Sequence, residues 1–110
     1  MKIINLELDY PSVAQARKML LEILTNPNKN ANSYKIIHGY GSSGVGGQIK
    51  KMVVSNLKKL KNDNIIKDFL PGEAINYLMG YDNVIQKYNN LLKQDPDYKK
   101  TNEGITYVFI

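Results

Sequence analysis

The chain contains no cysteine, a single arginine (Arg17) and a single histidine (His38). Without cysteine there is no disulfide framework, no thiolate nucleophile and no cysteine-ligated metal site. No apolar run approaches the roughly 18 residues a membrane-spanning helix needs. The stretch Met1-Lys2-Ile3-Ile4-Asn5 lacks the long apolar core and cleavage site of a secretory leader, so a cytoplasmic location without membrane contact is the expectation. The basic residues outnumber the acidic ones 15 to 10, for a net charge of +5, and all but Arg17 are lysine. Lysine attracts phosphate as a point charge, whereas bidentate base readout favours arginine. At 110 residues with 43% hydrophobic content, residues 1–110 fit one globular domain.

Glycine is concentrated in one place. Five of the eight glycines fall between Gly39 and Gly47. The apolar pair Ile36-Ile37 ends a predicted buried strand just before them. Just after them Ile49, Met52, Val53, Leu57 and Leu60 recur at the spacing of one helix face. The order is therefore strand, glycine-rich loop, helix N-terminus. Glycines let backbone amides approach a partner closely, and the first helical turn leaves amides without intrahelical acceptors. Together with Lys50 and Lys51 this composes a site for an anion, above all a phosphate. The plainer alternative is a surface loop that only reverses the chain.

Gly39-Tyr40-Gly41-Ser42-Ser43-Gly44 matches the dinucleotide pattern G-x-G-x-x-G in letters. It lies behind an earlier strand and helix, however, with too little chain after it for a second nucleotide-binding half. A Walker A loop is excluded, because Gly46 precedes Gly47-Gln48 rather than Lys-Ser/Thr.

Ahead of the loop, Lys2 to Leu8 reads as a first strand with Ile4, Leu6 and Leu8 alternating inward. Ser12-Val13-Ala14-Gln15 forms a capping box for a helix carrying Val13, Ala16, Leu20, Ile23 and Leu24. Behind it, Ile65 to Leu70 reads as a third strand closed by Pro71-Gly72. Asp82 is placed to cap a helix with Val84, Tyr88, Leu91 and Leu92 that ends near Asp95-Pro96. Gly104 to Ile110 reads as a buried closing strand. Alternation of strands and helices predicts right-handed crossovers and a parallel sheet core.

The run His38-Gly39-Tyr40-Gly41-Ser42-Ser43-Gly44-Val45-Gly46-Gly47-Gln48-Ile49-Lys50 resembles the second signature of Smr (small MutS-related) domains. There an H-G-x-G loop runs into a helix that opens with a basic residue. Gly104-Ile105-Thr106-Tyr107-Val108-Phe109-Ile110 is similar to the family's closing strand, G-x-T/A-x-V-x-L. The resemblance covers Lys2 to Lys61, Ile65 to Leu70 and Gly104 to Ile110. It leaves residues from about 73 to 103 as an insertion between the last two strands, a place for a protein partner. It implies an α/β fold of the two-layer α+β sandwich kind. In that fold a βαβαββ mixed sheet has helices on one side, similar to the C-terminal domain of translation initiation factor three.

The family's other motif, L-D-L-H-G, closes the first strand and is tied to nuclease activity. Here Ile4-Asn5-Leu6-Glu7-Leu8 stands in its place, with Asn5 at the aspartate position and Glu7 at the histidine position. The chain thus resembles a divergent stand-alone branch.

Three readings of function follow. In the first, Gly39, Tyr40, Gly41, Ser42, Ser43, Gly44, Gly46 and Gly47 meet the phosphates of DNA or RNA. Lys50 and Lys51 then neutralise charge, and Tyr40 stacks on a base or sugar. Lys58, Lys59 and Lys61 extend the line of cations along the helix, a pattern a merely solvated helix face also shows. In the second, Glu7, His38 and Asn5 form a reduced endonuclease site working with magnesium or another divalent ion. The alternative for His38 is a hydrogen bond that orders the loop. A third reading is a binder of nucleotides or other small phosphate compounds.

Overall fold

The computed structural model describes residues 1–9, 11–39, 44–75 and 79–110, with only the backbone described at 44–46. Among the described residues, strands β1 (Lys2–Asn5), β2 (Ser33–Ile37), β3 (Asp68–Pro71) and β4 (Ile105–Phe109) form one mixed sheet in the order β1-β2-β4-β3. Helix α1 (Val13–Thr25) joins β1 to β2, and α2 (Gly44–Asn62) joins β2 to β3. A 3-10 turn (Gly72–Ile75), helices α3 (Asp82–Lys87) and α4 (Asn89–Leu92) and a second 3-10 turn (Tyr98–Lys100) lead into β4. The result is an α/β fold with the expected βαβαββ strand order.

The parallel core read from alternation is only partly realised. β1 and β2 are parallel, but β4 runs antiparallel between β2 and β3 and separates them. β4 takes the central place because all five of its residues are buried, and only a central strand covered on both faces hides every side chain. Pro71, which has no amide to donate, sits on edge strand β3, where no further partner is required.

Helix α1 starts as its sequence requires. The Ser12 hydroxyl accepts from the Gln15 amide at 3.1 Å and the Gln15 side chain accepts from the Ser12 amide at 2.8 Å. Ala16, Leu20 and Leu24 of α1 and Ile49, Val53 and Leu57 of α2 pack on one sheet face against Ile4, Ile36, Phe69 and Val108. Both long helices therefore lie on the same side. The opposite face, formed by Leu70, Ile105, Tyr107 and Phe109, is covered by Ala74, Val84, Leu92 and Tyr98 of the segment after β3. That segment adds a partial third layer over the β3–β4 half of the sheet.

Local boundaries differ from expectation for identifiable reasons. β1 stops at Asn5 because its side-chain oxygen accepts from the Glu7 amide at 2.9 Å, bending the chain into a turn. Leu6 stays fully buried while Leu8 is exposed, so the predicted alternation ends one step early. Ile65 and Ile66 belong to the turn after α2, their amides directed at the Leu60 carbonyl, and β3 begins only at Asp68. The helix expected from Asp82 breaks at Tyr88, and Asp82 is its first residue rather than its cap, a place held by Tyr81.

Candidate nucleic-acid interface

Parallel pairing of β1 with β2 puts their C-terminal ends side by side, with the register Asn5 to Ile37 extended by a Leu6 amide to Ile37 carbonyl bond of 2.8 Å. The turn after β1 therefore meets the start of the glycine-rich loop. Gly39 has φ +82°, a conformation open to glycine at little cost. A Cβ there would stand 2.2 Å from Glu7 Oε1, so the exposed Glu7 carboxylate lies directly against Gly39. The Gly39 amide itself turns inward: it and the His38 amide both donate to the Gly104 carbonyl, at 3.0 and 2.9 Å. Gly39 thus serves to turn the chain and does not present a donor.

His38 is buried, at 1% exposure. Its Nδ1 lies 2.8 Å from the Gly39 carbonyl, which can only accept, so the proton sits on Nδ1. In the neutral ring Nε2 then accepts from the Thr106 hydroxyl at 2.8 Å. Burial holds the imidazole pKa below its ordinary 6.5, aided by Lys50 and opposed by the Gly39 hydrogen bond and by Glu73. Both ring nitrogens are engaged inside the protein, an arrangement that orders the loop rather than facing a substrate. Asn5, the third residue of the reduced site, spends its side-chain oxygen on the Glu7 amide.

Glu7 and His38 share this end of the sheet, as their strands dictate. The donor set does not fit a divalent ion: Glu7 offers one carboxylate, both ring nitrogens of His38 are engaged, and the Asn5 side-chain oxygen is held by the Glu7 amide. Among the described residues no group of three or more histidine, cysteine or acidic side chains could hold a metal.

The cations of α2 divide into two kinds. Lys50 Nζ lies 3.2 Å from Glu73 Oε1 and Lys61 Nζ 2.6 Å from Asp68 Oδ1. Lys51, Lys58 and Lys59 are exposed and form no ion pair among the described residues. With Ser55, also exposed, Lys51 and Lys58 form a stripe at intervals of four and three along the helix, spanning about 10 Å of its axis. No acidic residue stands in the first turn of α2.

Tyr40, Gly41, Ser42 and Ser43 lie outside the described residues, as does Tyr77, and of Gly44 and Gly46 the backbone is helical. Gly47 is half-buried in the first turn. Tyr34 is buried and its hydroxyl accepts from the Asn28 amide at 3.0 Å, which makes it a packing residue at the strand start. Tyr81 packs edge-on against Phe69 and Tyr88 stacks on Phe109 with ring centres 3.9 Å apart, so both are packing residues too.

One cluster escaped sequence reading. Lys35 of β2, only 7% exposed, reaches through the second sheet face to Asp95 Oδ1 at 3.1 Å and to the Asp97 carboxylate. Its strand neighbour Tyr107 donates to Asp95 Oδ2 at 2.6 Å. Burial opposes the Lys35 charge, but the hydrogen bonds and charges of Asp97 and Asp95 outweigh it and set its pKa above the ordinary lysine value. Asp97 is held below its ordinary value, chiefly by the Lys35 hydrogen bond, and burial pushes the Tyr107 phenol far up. The signal was present: a lysine in the apolar run Tyr34-Lys35-Ile36-Ile37, and the Asp95-Pro96-Asp97 turn. Comparison with protein-family models, with curated proteins and with solved structures gives no match.

Proposed function

We propose that this protein is a small nucleic-acid-binding module of Smr-like type, contacting phosphates through the loop between β2 and α2 and the lysines that follow it. The observation that carries the reading is the exposed stripe of Lys51 and Lys58, joined by Lys59, running up α2 from the glycine-rich loop. A line of cations continuous with a helix N-terminus meets successive phosphates of one strand, and their counterions are released on binding. The scarcity of arginine favours backbone contact over base reading. A gel-shift panel of single-stranded, duplex and branched DNA and RNA, run at rising salt, tests it. Binding that weakens steeply with salt supports the reading; no binding to any form sinks it.

Endonuclease activity is the second reading, favoured by the Glu7 carboxylate lying against Gly39 at the loop entrance. Incubating the same nucleic acids with and without magnesium distinguishes it. Cleavage abolished by both Glu7→Ala and His38→Ala supports an enzyme, and cleavage surviving both points to a contaminant. Calorimetry with free nucleotides against oligonucleotides separates either from a binder of small phosphate compounds.

A further inference from the structure

We infer that Glu73 is an internal counter-anion that withholds Lys50 from phosphate, so that the working cations of this face are Lys51, Lys58 and Lys59. The inference rests on the reading of this face as a nucleic-acid interface. It concerns a residue that no motif pointed to. Lys50 is the first cation after the glycine-rich loop in sequence. Its ammonium instead lies 3.2 Å from Glu73 Oε1, with the two side chains only 21% and 15% exposed. Ion pairs so covered are screened far less than surface pairs and resist exchange with solvent ions.

Two further features keep the pair closed. Among the described residues, the other carboxylate oxygen, Glu73 Oε2, is buried without a hydrogen-bond partner. Removing Lys50 would therefore strip the whole carboxylate of compensation, which opposes any ligand that tries to draw Lys50 away. Glu73 is also fixed by the backbone. A Cβ on neighbouring Gly72 would stand 2.1 Å from the Asn102 carbonyl and 2.8 Å from Ile105 Cγ1, so the turn carrying Glu73 is clamped against the entrance to β4. His38, whose backbone leads into the loop, lies within electrostatic range of both charges of the pair. A closed, neutral pair releases no counterion and contributes nothing to the salt dependence of binding. Lys51, one residue on, is exposed and contributes in full.

The test is fluorescence anisotropy with a labelled oligonucleotide from the gel-shift panel. Wild type, Lys50→Gln, Lys51→Gln, Glu73→Gln and the neutral double variant Lys50→Gln/Glu73→Gln are titrated at several salt concentrations, with circular dichroism confirming the fold. Glu73→Gln frees one cation: affinity rises severalfold at low salt, and the slope of log affinity against log salt steepens by roughly 0.7 to 0.9. Lys51→Gln lowers the slope by a similar amount. The double variant, neutral like the closed pair, stays within about twofold of wild type with an unchanged slope, whereas Lys50→Gln leaves Glu73 unpaired and weakens binding through repulsion. A double-variant slope that falls as far as that of Lys51→Gln overturns the inference, as does a gain in Glu73→Gln that survives in the double variant. If a single variant fails to fold, the double variant decides, since it buries no unpaired charge. Binding by wild type that none of these changes alters refutes the inference alone. Absence of binding by both wild type and Glu73→Gln refutes the interface reading with it, and binding gained only in Glu73→Gln supports both.

Discussion

Replacing Lys35 by methionine keeps the apolar stem that crosses the second sheet face and deletes only the ammonium. In the wild type that ammonium compensates two carboxylates, Asp95 and Asp97, whose side chains are 11% and 29% exposed. Removing one member of a buried pair costs about 3–5 kcal/mol when the partner is left bare. Two residual contacts moderate this figure: Tyr107 still donates to Asp95 at 2.6 Å, and Lys100 lies 3.6 Å from Asp97. The expected loss is therefore about 3 kcal/mol, at the lower end of the buried range and well above the roughly 0–1 kcal/mol of a surface pair.

In urea, with a slope of about 1–3 kcal/mol/M for a small domain, this moves the midpoint down by at least about 1 M without changing the slope. Adding Asp95→Asn to Lys35→Met recovers part of the loss, with a coupling of about 1 kcal/mol or more. Acid supplies an independent check. Lys35 holds the Asp97 carboxyl below its ordinary 3.8, so its contribution is present above that pH and fades as pH falls through the folded value. Wild-type and Lys35→Met stabilities should therefore converge below about pH 3.8. A Lys35→Met loss under about 1 kcal/mol would refute the reasoning, because it is the size expected of a solvent-screened pair.

His38 is held neutral in the fold with its pKa below 6.5, so it contributes stability above pH 6.5 that is lost as pH falls toward the folded value. Urea midpoints at pH 7.5 and 5.5 should differ, with a local slope of up to about 1.4 kcal/mol per pH unit, and His38→Asn should flatten that slope. Equal wild-type midpoints at the two pH values would contradict it. Gly39→Ala should destabilise by about 1–2 kcal/mol through its left-handed backbone, and removing the Glu7 carboxylate as well should restore little, since an exposed side chain can swing aside. Full recovery in Glu7→Ala/Gly39→Ala would mean that the close approach, not φ, sets the cost. Ser12→Ala removes one arm of the capping box and should cost about 1 kcal/mol in thermal unfolding. An unchanged melting curve would show that the Gln15 arm suffices alone.

Signals of short range were legible in the sequence. The Ser12–Gln15 box and the Ala16, Leu20, Leu24 face each depend on residues a few positions apart, and each was found where expected. A strand and a helix flank the glycine-rich stretch as read, but α2 opens at Gly44, inside the run expected to be loop. What failed to show was set by distant partners. Nothing local says that β4 enters between β2 and β3; that follows from burying all five of its side chains at once. Likewise Lys50 reads as a free cation until Glu73, brought in by the chain beyond β3, is placed against it. The pairing of Glu7 with Gly39 was accessible, because parallel neighbours bring like ends together. The disposition of the His38 ring was not, because Thr106 lies on β4, at the other end of the sequence.

The position of β4 also governs the order of assembly. Residues 2–62 hold a strand, helix, strand and helix whose partners are near in sequence, so this half can collapse early. β3 has no neighbour to join until residues 105–109 thread into the gap beside β2. During synthesis, at about 5–20 residues per second, that slot stays open for several seconds. The bare edge of the β1–β2 pair and the unpaired β3 are then exposed together, and the wait itself is the interval in which a chaperone or a wrong strand can enter.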